Sequence, residues 1–423
     1  MKILVLVHAL PGPGSGGVEA VAMEQARALR ARGHEVRLFT RAAGPGSRPR
    51  SPEGEWYDAQ VEEFPVRYVS HAVGDPPNFR ALFINKVFDR AFASLLAEFR
   101  PDIVHAQHLV HLSLGLAAAA RQAGIPFVLS LHDFFFLCDR LFLLDREGQR
   151  CAGPDRGERC VACLAEVCAP VDARWRFAAM QEALACADAL VAPGASLAHR
   201  MVGAMPGLAT KLRVIEPGIE VSGAGAARTR VARVRQTGPL RFLFVGGAQP
   251  HKGLDLLIEA CAGLDPEGWE LSVRGGAAPE SAWWRGLRAR SAGLPIHWQG
   301  GFAPRDAPMV FAAADVLVVA SRCDESWSRV VREARVAGCA VVAPAVGGPA
   351  ALLEHGRDAL LVEPASAPAL GAALRRLLAE EGLCASLQAA ATPIATTVQA
   401  AGELELLFHE LLGRGTDTSG TLE

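Results

Sequence analysis

Two glutamates, Glu325 and Glu333, stand eight positions apart (333 − 325 = 8) after the apolar run VLVVASRC. That spacing puts Glu325 in a loop at the end of a strand and Glu333 about two turns into the next helix. A carboxylate accepts hydrogen bonds from vicinal hydroxyls, so the pair suits a polyol such as a sugar or ribose ring. The commoner fate of an unpaired glutamate is a solvated helix face. Lys252, followed by Gly253, lies in a turn that feeds a helix within FVGGAQPHKGLD. There an ammonium, first-turn N–H groups and the helix dipole can together oppose an anion. His132 ends the apolar run IPFVLSLH at the carboxyl edge of a strand, which favours orientation of a ligand over a plain core role.

The stretch LPGPGSGGVE carries Gly12, Gly14 and Gly17 at G-x-G-x-x-G spacing, the dinucleotide fingerprint. Three readings stand: a cofactor loop, a plain strand-to-helix turn, or a loop in which Gly16 and Gly17 open a helix towards phosphate. The next strand ends FTR without the acidic residue that would hold an NAD ribose, although Arg41 could meet an NADP 2′-phosphate. Cys138, Cys151, Cys160 and Cys163 form C-x12-C-x8-C-x2-C, with Cys168 close behind. The last pair has the spacing of zinc sites, and four thiolates would make a structural rather than a catalytic centre. Reduced, unliganded thiols are the alternative.

These groups need a frame. In 423 residues, half of them apolar, there is material for two cores, and Lys+Arg 43 against Asp+Glu 45 leaves no basic surface for nucleic acid. KILVLV is too short for a signal peptide, and no apolar run reaches the roughly 20 residues of a membrane span, so a cytoplasmic setting is expected. Strand and helix patterns alternate: strands at Lys2–Val7, Glu35–Thr40, Asp102–His105 and Ile125–His132, with helices at Val18–Ala31 and Asn78–Phe99. Residues 41–60 read as a polar loop, and the rhythm lapses over 137–170, where something must staple the chain. A second series starts at Arg241–Val245 and runs through Leu254–Ala262, Glu270–Val273, Ile296–Trp298, Asp315–Val319 and Ala340–Ala343. Two doubly wound α/β domains with parallel sheets follow, their ligand expected in the cleft between them. The expected bounds are 1–210 with a Cys-rich insertion at about 137–170, a linker at 211–240, and a second domain at 241–392. A terminal helix at 393–413 has the option of packing back on the first domain, before a disordered tail at 414–423. The Asn78–Phe99 helix mixes apolar and basic residues, which suits the core or, alternatively, a membrane surface at the inner face of the plasma membrane.

In order and spacing, SGGVE, DIVHAQH, SLHD, FVGGAQPHKGLD, the Glu325/Glu333 pair and VGGPAALLEHGRDALLVEP resemble the retaining glycosyltransferases of family 4, across nearly the whole chain. LHDFFFLC and the cysteines after it resemble a subset with a Cys-rich insertion. The resemblance implies the GT-B fold and a nucleotide-sugar donor held by the second domain, with no metal or cofactor required for transfer. It implies that Lys252 meets the donor phosphates, Glu325 the transferred sugar and Glu333 the ribose. Backbone amides of Ser326, Trp327 and Ser328 would assist at the helix start, and His132 would lie beside the sugar. The acceptor, a saccharide or lipid-linked molecule in polysaccharide or glycan synthesis, would approach near Gly16 and Gly17. Two departures stand out: Gly247 replaces an arginine frequent in the family, leaving Arg329, Arg322 or the backbone to compensate, and Ser328 replaces a glycine. An NADP oxidoreductase, a sugar-nucleotide epimerase or phosphorylase, and a non-catalytic sugar-nucleotide-binding protein are the alternatives.

Overall fold

The computed structural model describes residues 1–12, 16–42, 55–70, 78–220, 238–247, 249–275 and 281–413. Gly14, most of the expected linker and the tail from 414 lie outside them. The chain divides into two units: Met1–Arg146, Cys151–Gly218 and Ala395–Glu423 in the first, Glu147–Arg150 and Ile219–Ile394 in the second.

The first unit is built on eight strands: β1 Lys2–Val7, β2 Glu35–Arg41, β3 Glu55–Val61, β4 Phe64–Ser70, β5 Ile103–Ala106, β6 Phe127–Ser130, β7 Ala189–Ala192 and β8 Leu212–Val214. Their order is β3-β4-β2-β1-β5-β6-β7-β8. Pairing is parallel from β4 to β8. β1, β5, β6 and β7 read as short apolar runs because helices cover both faces of the sheet. One face packs under the helices Lys86–Phe99, Gly115–Gln122 and Pro170–Cys186, the other under Gly17–Ala31 and Thr397–Leu411.

Three expectations need correction here. The loop foreseen at 41–60 ends in β3, which pairs antiparallel with β4 through a tight turn at Glu62 and Glu63. EWYDAQV carries its own alternation, and an antiparallel edge strand needs only one covered face. The helix foreseen from Asn78 breaks in two: a 3-10 turn Phe79–Leu82 precedes Lys86–Phe99, whose first turn is capped by Asn85 Oδ1 accepting from the Val87 amide at 3.0 Å. Its apolar residues Phe88, Phe92, Leu95 and Phe99 are all buried in the core, so it has no apolar face to lay on a membrane. No helix among the described residues is long and apolar enough to cross one.

The segment from Phe136 to Pro170 carries little regular structure beyond the short helix Glu158–Cys163. Among the described residues no three His, Cys, Asp or Glu side chains meet the geometry of a metal site, so the zinc centre expected at Cys138, Cys151, Cys160 and Cys163 finds no support in the structure. Packing orders the segment. Phe134, Phe136, Leu137, Leu143 and Leu164 are buried in the first core, and Cys138, Cys151 and Cys160 lie against it. Beneath them Arg176 is buried, its Nε donating to Asp139 at 3.0 Å and its Nη2 to the Phe135 carbonyl at 2.5 Å. Burial in these surroundings pushes the Cys160 thiol up to about 11.

The second unit has six parallel strands: β9 Leu240–Val245, β10 Trp269–Arg274, β11 Ile296–Gly300, β12 Val316–Val318, β13 Ala340–Pro344 and β14 Leu360–Val362. They lie in the order β11-β10-β9-β12-β13-β14. Two apolar clusters fill its faces, one under the helices Leu254–Ala262 and Ala367–Ala379, the other under Arg329–Val336.

Candidate active site

β9 and β12 are neighbours, so the loops leaving their carboxyl ends meet. The first is a 3-10 turn, Pro250–Lys252, closed by Gly253 at φ +68°. A side chain on Gly253 would strike the Ala320 carbonyl, 1.9 Å from its Cβ, so only glycine lets the lysine turn lie on the second loop. Lys252 Nζ thereby reaches Glu325 Oε1 at 2.8 Å, and Ser321 Oγ donates to the same oxygen at 2.6 Å. Burial alone would raise the Glu325 pKa. The Lys252 ammonium, its hydrogen bond, and the Ser321 and Ser328 hydroxyls more than reverse this and hold the carboxyl at about 2. Conversely, burial pulls the Lys252 pKa down, and Glu325 outweighs that to leave it raised. The pair is therefore ionised, a cation and an anion fixed at a sheet's carboxyl edge.

Arg322 is not a spare cation. Its guanidinium binds Asp255 through both nitrogens at 2.7 Å and the Pro250 carbonyl at 2.8 Å, bracing the lysine turn from behind. Arg329 Nε donates to Glu333 Oε1 at 2.8 Å, one turn apart on the same helix. Gly247 lies at the end of β9, where a Cβ would meet only the flexible Gln249 side chain. Neighbouring Gly246 is tighter, since its carbonyl lies 1.7 Å from where a Cβ on Gly275 would sit.

The loop Glu325–Ser328 is clamped from two sides. Gly347, at φ +68°, and Gly348 lie directly on its backbone, and the Gly348 amide donates to the Glu325 carbonyl at 2.5 Å. A Cβ on Gly348 would come within 2.8 Å of Trp327 Cα. From the helix side, Arg332 is buried, donates to the Trp327 carbonyl, and lies 4.5 Å from the Trp327 ring centroid. Ser328 enters the helix at φ 60°, ψ 80°, a left-handed conformation for a non-glycine residue. Ser326, Trp327 and Ser328 thus precede the helix that carries Glu333 about two turns after Glu325.

In the first unit the carboxyl ends of β1, β5 and β6 gather a polar cluster. Gly16 is the N-cap of the helix that begins at Gly17, and the Gly16 amide donates to Glu19 Oε2 at 3.0 Å. The other Glu19 oxygen meets His8 Nε2 at 3.1 Å. His132 Nε2 donates to Gln107 Oε1 at 2.8 Å, and Gln107 Nε2 donates to Gln25 at 2.8 Å. Burial and the neighbouring His108 push the His132 pKa down to about 3, so its imidazole is neutral. His108 accepts from the Val110 amide on Nδ1, which puts its proton on Nε2, 3.2 Å from Asp133. His105 is fully buried, paired with Ser130 at 2.8 Å and edge-on to Phe408, a core histidine.

Sequence reasoning had nothing to single out Ser321, Arg332, Asp255 or Gln107. Each acts on another residue of the site, and single serines, arginines, aspartates and glutamines carry no periodic signal. The Glu19 contact was legible in principle, because Gly16 and Glu19 have the spacing of a capping box.

Comparison with known proteins agrees with this frame. The model of Glycosyltransferase Family 4 matches residues 15–222, and that of Glycosyl transferases group 1 matches residues 239–380. The chain is 30% identical over 405 residues to a D-inositol 3-phosphate glycosyltransferase of Thermomonospora curvata, covering 87% of this chain and 84% of the relative. A Catenulispora acidiphila protein of the same description, D-inositol 3-phosphate glycosyltransferase 1, is 28% identical over 92% of this chain and 89% of its own. Among solved structures, sucrose-phosphate synthase of Thermosynechococcus elongatus superposes with a TM-score of 0.70 at 19% identity, over 98% of this chain and 100% of that one. Anabaena HepE, solved with UDP and glucose, gives 0.66 at 20% identity over 96% and 99%. The chain therefore belongs to glycosyltransferase family 4, with the GT-B fold, and is a nucleotide-sugar-dependent glycosyltransferase.

Proposed function

We propose that the chain moves a hexose from a uridine diphosphate sugar to a hydroxyl of a saccharide or lipid-linked acceptor, with retention of anomeric configuration. The observation that carries the reading is the Lys252–Glu325 pair, 2.8 Å apart and largely shielded from water, at the start of two converging loops. In transfer the acceptor oxygen attacks the anomeric carbon as the bond from that carbon to the phosphate oxygen breaks. Negative charge grows on the departing diphosphate. Fixed charges and amides aimed at such a group supply the largest share of rate enhancement in sites of this kind. Lys252 is the cation for it, while the amides of Ser326, Trp327 and Ser328 add donors at the helix start. The acceptor proton passes to a leaving phosphate oxygen.

Glu325 accepts from hydroxyls of the transferred sugar, and Glu333 exchanges Arg329 for the ribose when donor binds. Gly247 in place of an arginine leaves the diphosphate with one side-chain cation fewer, and Arg329, once released from Glu333, is placed to compensate. Gly16, Gly17 and the neutral His132 serve the acceptor and sugar side. A uridine donor is favoured by the HepE complexes with UDP and with UDP-glucose. A cyclitol or sugar acceptor is favoured by the inositol-phosphate relatives. A panel of UDP-, GDP-, dTDP- and ADP-glucose, scored by thermal shift and slow donor hydrolysis, tests the reading. UDP-glucose should stabilise the protein, and Lys252→Ala should abolish both stabilisation and hydrolysis. Unchanged turnover in that variant would sink it.

A further inference from the structure

Arg332 has 2% of its surface exposed and lies on the helix Arg329–Val336 beside the apolar core residues Val331 and Ala334. Taking a guanidinium out of water is costly, so the contacts that hold it there matter. Its Nη1 donates to the Trp327 carbonyl oxygen, and the guanidinium carbon lies 4.5 Å from the centroid of the Trp327 ring. Trp327 is itself only 6% exposed, so little water screens the charge at that point. The Trp327 carbonyl is one end of a peptide unit whose other end is the Ser328 N–H. A charged donor on the oxygen draws electron density through that conjugated unit and makes its N–H a stronger donor. The Ser328 amide stands where the helix begins and donates to no group among the described residues. Gly347 and Gly348 press on the opposite side of the loop, which limits rotation of this peptide.

We propose that Arg332 is a positioning residue that strengthens the grip on the diphosphate without touching it. It fixes the Trp327–Ser328 peptide with its N–H towards the leaving phosphate, and its charge reaches that phosphate through the peptide. This makes up part of the cation lost where Gly247 stands in place of an arginine. It rests on the donor-site reading above, in which the Ser328 amide meets the diphosphate. The effect grows with the charge on the phosphate, so it is greater for the released diphosphate than for the intact nucleotide sugar.

The test compares Arg332→Gln and Arg332→Lys with the wild type by isothermal titration. Gln keeps a donor for the Trp327 carbonyl and loses the charge, whereas Lys keeps both and lacks only the planar fork. The probes are the nucleotide sugar of the glucose panel that most stabilises the wild type, and its nucleoside diphosphate alone. The diphosphate carries an additional ionised oxygen on its terminal phosphate. A unit charge about 7 Å from that phosphate, one peptide and one hydrogen bond away, predicts about tenfold weaker diphosphate binding in Arg332→Gln. The nucleotide sugar should weaken about threefold, and Arg332→Lys should bind both probes within about twofold of the wild type. Equal losses for the two probes in Arg332→Gln overturn the proposal, because a purely structural role does not distinguish their charges. So does an unchanged diphosphate affinity in that variant, or an Arg332→Lys as weak as Arg332→Gln. Should Arg332→Gln not fold, Arg332→Met, which fills the same apolar space, carries the same comparison of probes. If neither probe binds the wild type, the donor reading fails first and this one with it.

Discussion

Replacing Lys252 by methionine keeps the length of the side chain and removes its charge, leaving the Glu325 carboxylate buried without a counterion. The Glu325 side chain is only 10% exposed, so solvent screening discounts the effect little. Its pKa lies at about 2 against an ordinary 4.5, a difference worth about 3 kcal/mol at about 1.36 kcal/mol per pH unit. A group with a depressed folded-state pKa contributes stability fully above 4.5 and loses it only as the pH falls through about 2. The wild type therefore shows no pH dependence from this group between about pH 5 and 7. In Lys252→Met the dominant lowering influence is gone while burial remains, and the carboxyl pKa moves above its ordinary value. The sign reverses: the variant is penalised at neutral pH and recovers as acid protonates Glu325. Expected at pH 7 is a loss of about 3 kcal/mol, the lower end for breaking a buried pair. For a unit of this size that is about 6–12 °C in melting temperature. The gap to the wild type should narrow on going from pH 7 to 5. Lys252→Met combined with Glu325→Gln should return to within about 1 kcal/mol of the wild type at both pH values, since a neutral amide needs no counterion. Thermal melts of the three proteins without donor form the assay. A gap that stays constant with pH, or a double variant as unstable as the single one, would refute the electrostatic account.

Two further predictions concern the supports of the site and of the Cys-rich segment. Gly348→Ala drives a methyl group to 2.8 Å from Trp327 Cα, which is backbone and cannot swing aside. A loss of about 1–3 kcal/mol and a weaker nucleotide-sugar-induced thermal shift are expected, whereas wild-type melting and donor response would show that the loop gives way freely. Arg176→Met removes the guanidinium that holds Asp139 and the Phe135 carbonyl. Under native conditions a thiol reagent should then label Cys138 and Cys160 at least tenfold faster by mass spectrometry, and unchanged labelling would show that apolar packing alone orders the segment.

Much of the architecture was legible in the residues because burial on both sides of a parallel sheet imposes short apolar strands separated by helical patterns. β1, β5, β6, β9 and β13 announce themselves in this way. β3 did not, since its open face and the Gly- and Pro-rich run before it read as loop. Lys252, Glu325 and Glu333 were legible as chemistry because fixed spacing around a strand end survives without the fold. The cysteine spacing was equally suggestive, yet a metal site needs a set geometry in space that spacing does not supply, and among the described residues none is formed, while aromatic and aliphatic side chains with Arg176 pack the segment.

By itself the sequence determined that two α/β units would form and that a lysine turn and a glutamate-bearing loop would sit at strand ends, because periodicity and turn chemistry are local. Only the tertiary structure decided that β9 and β12 lie side by side, so that Lys252 meets Glu325, that Arg322 is committed to Asp255, and that Ser328 is held left-handed beneath two glycines and an arginine. Those outcomes depend on which strands pair and which backbones touch, and such long-range contacts are written in no single stretch of the chain.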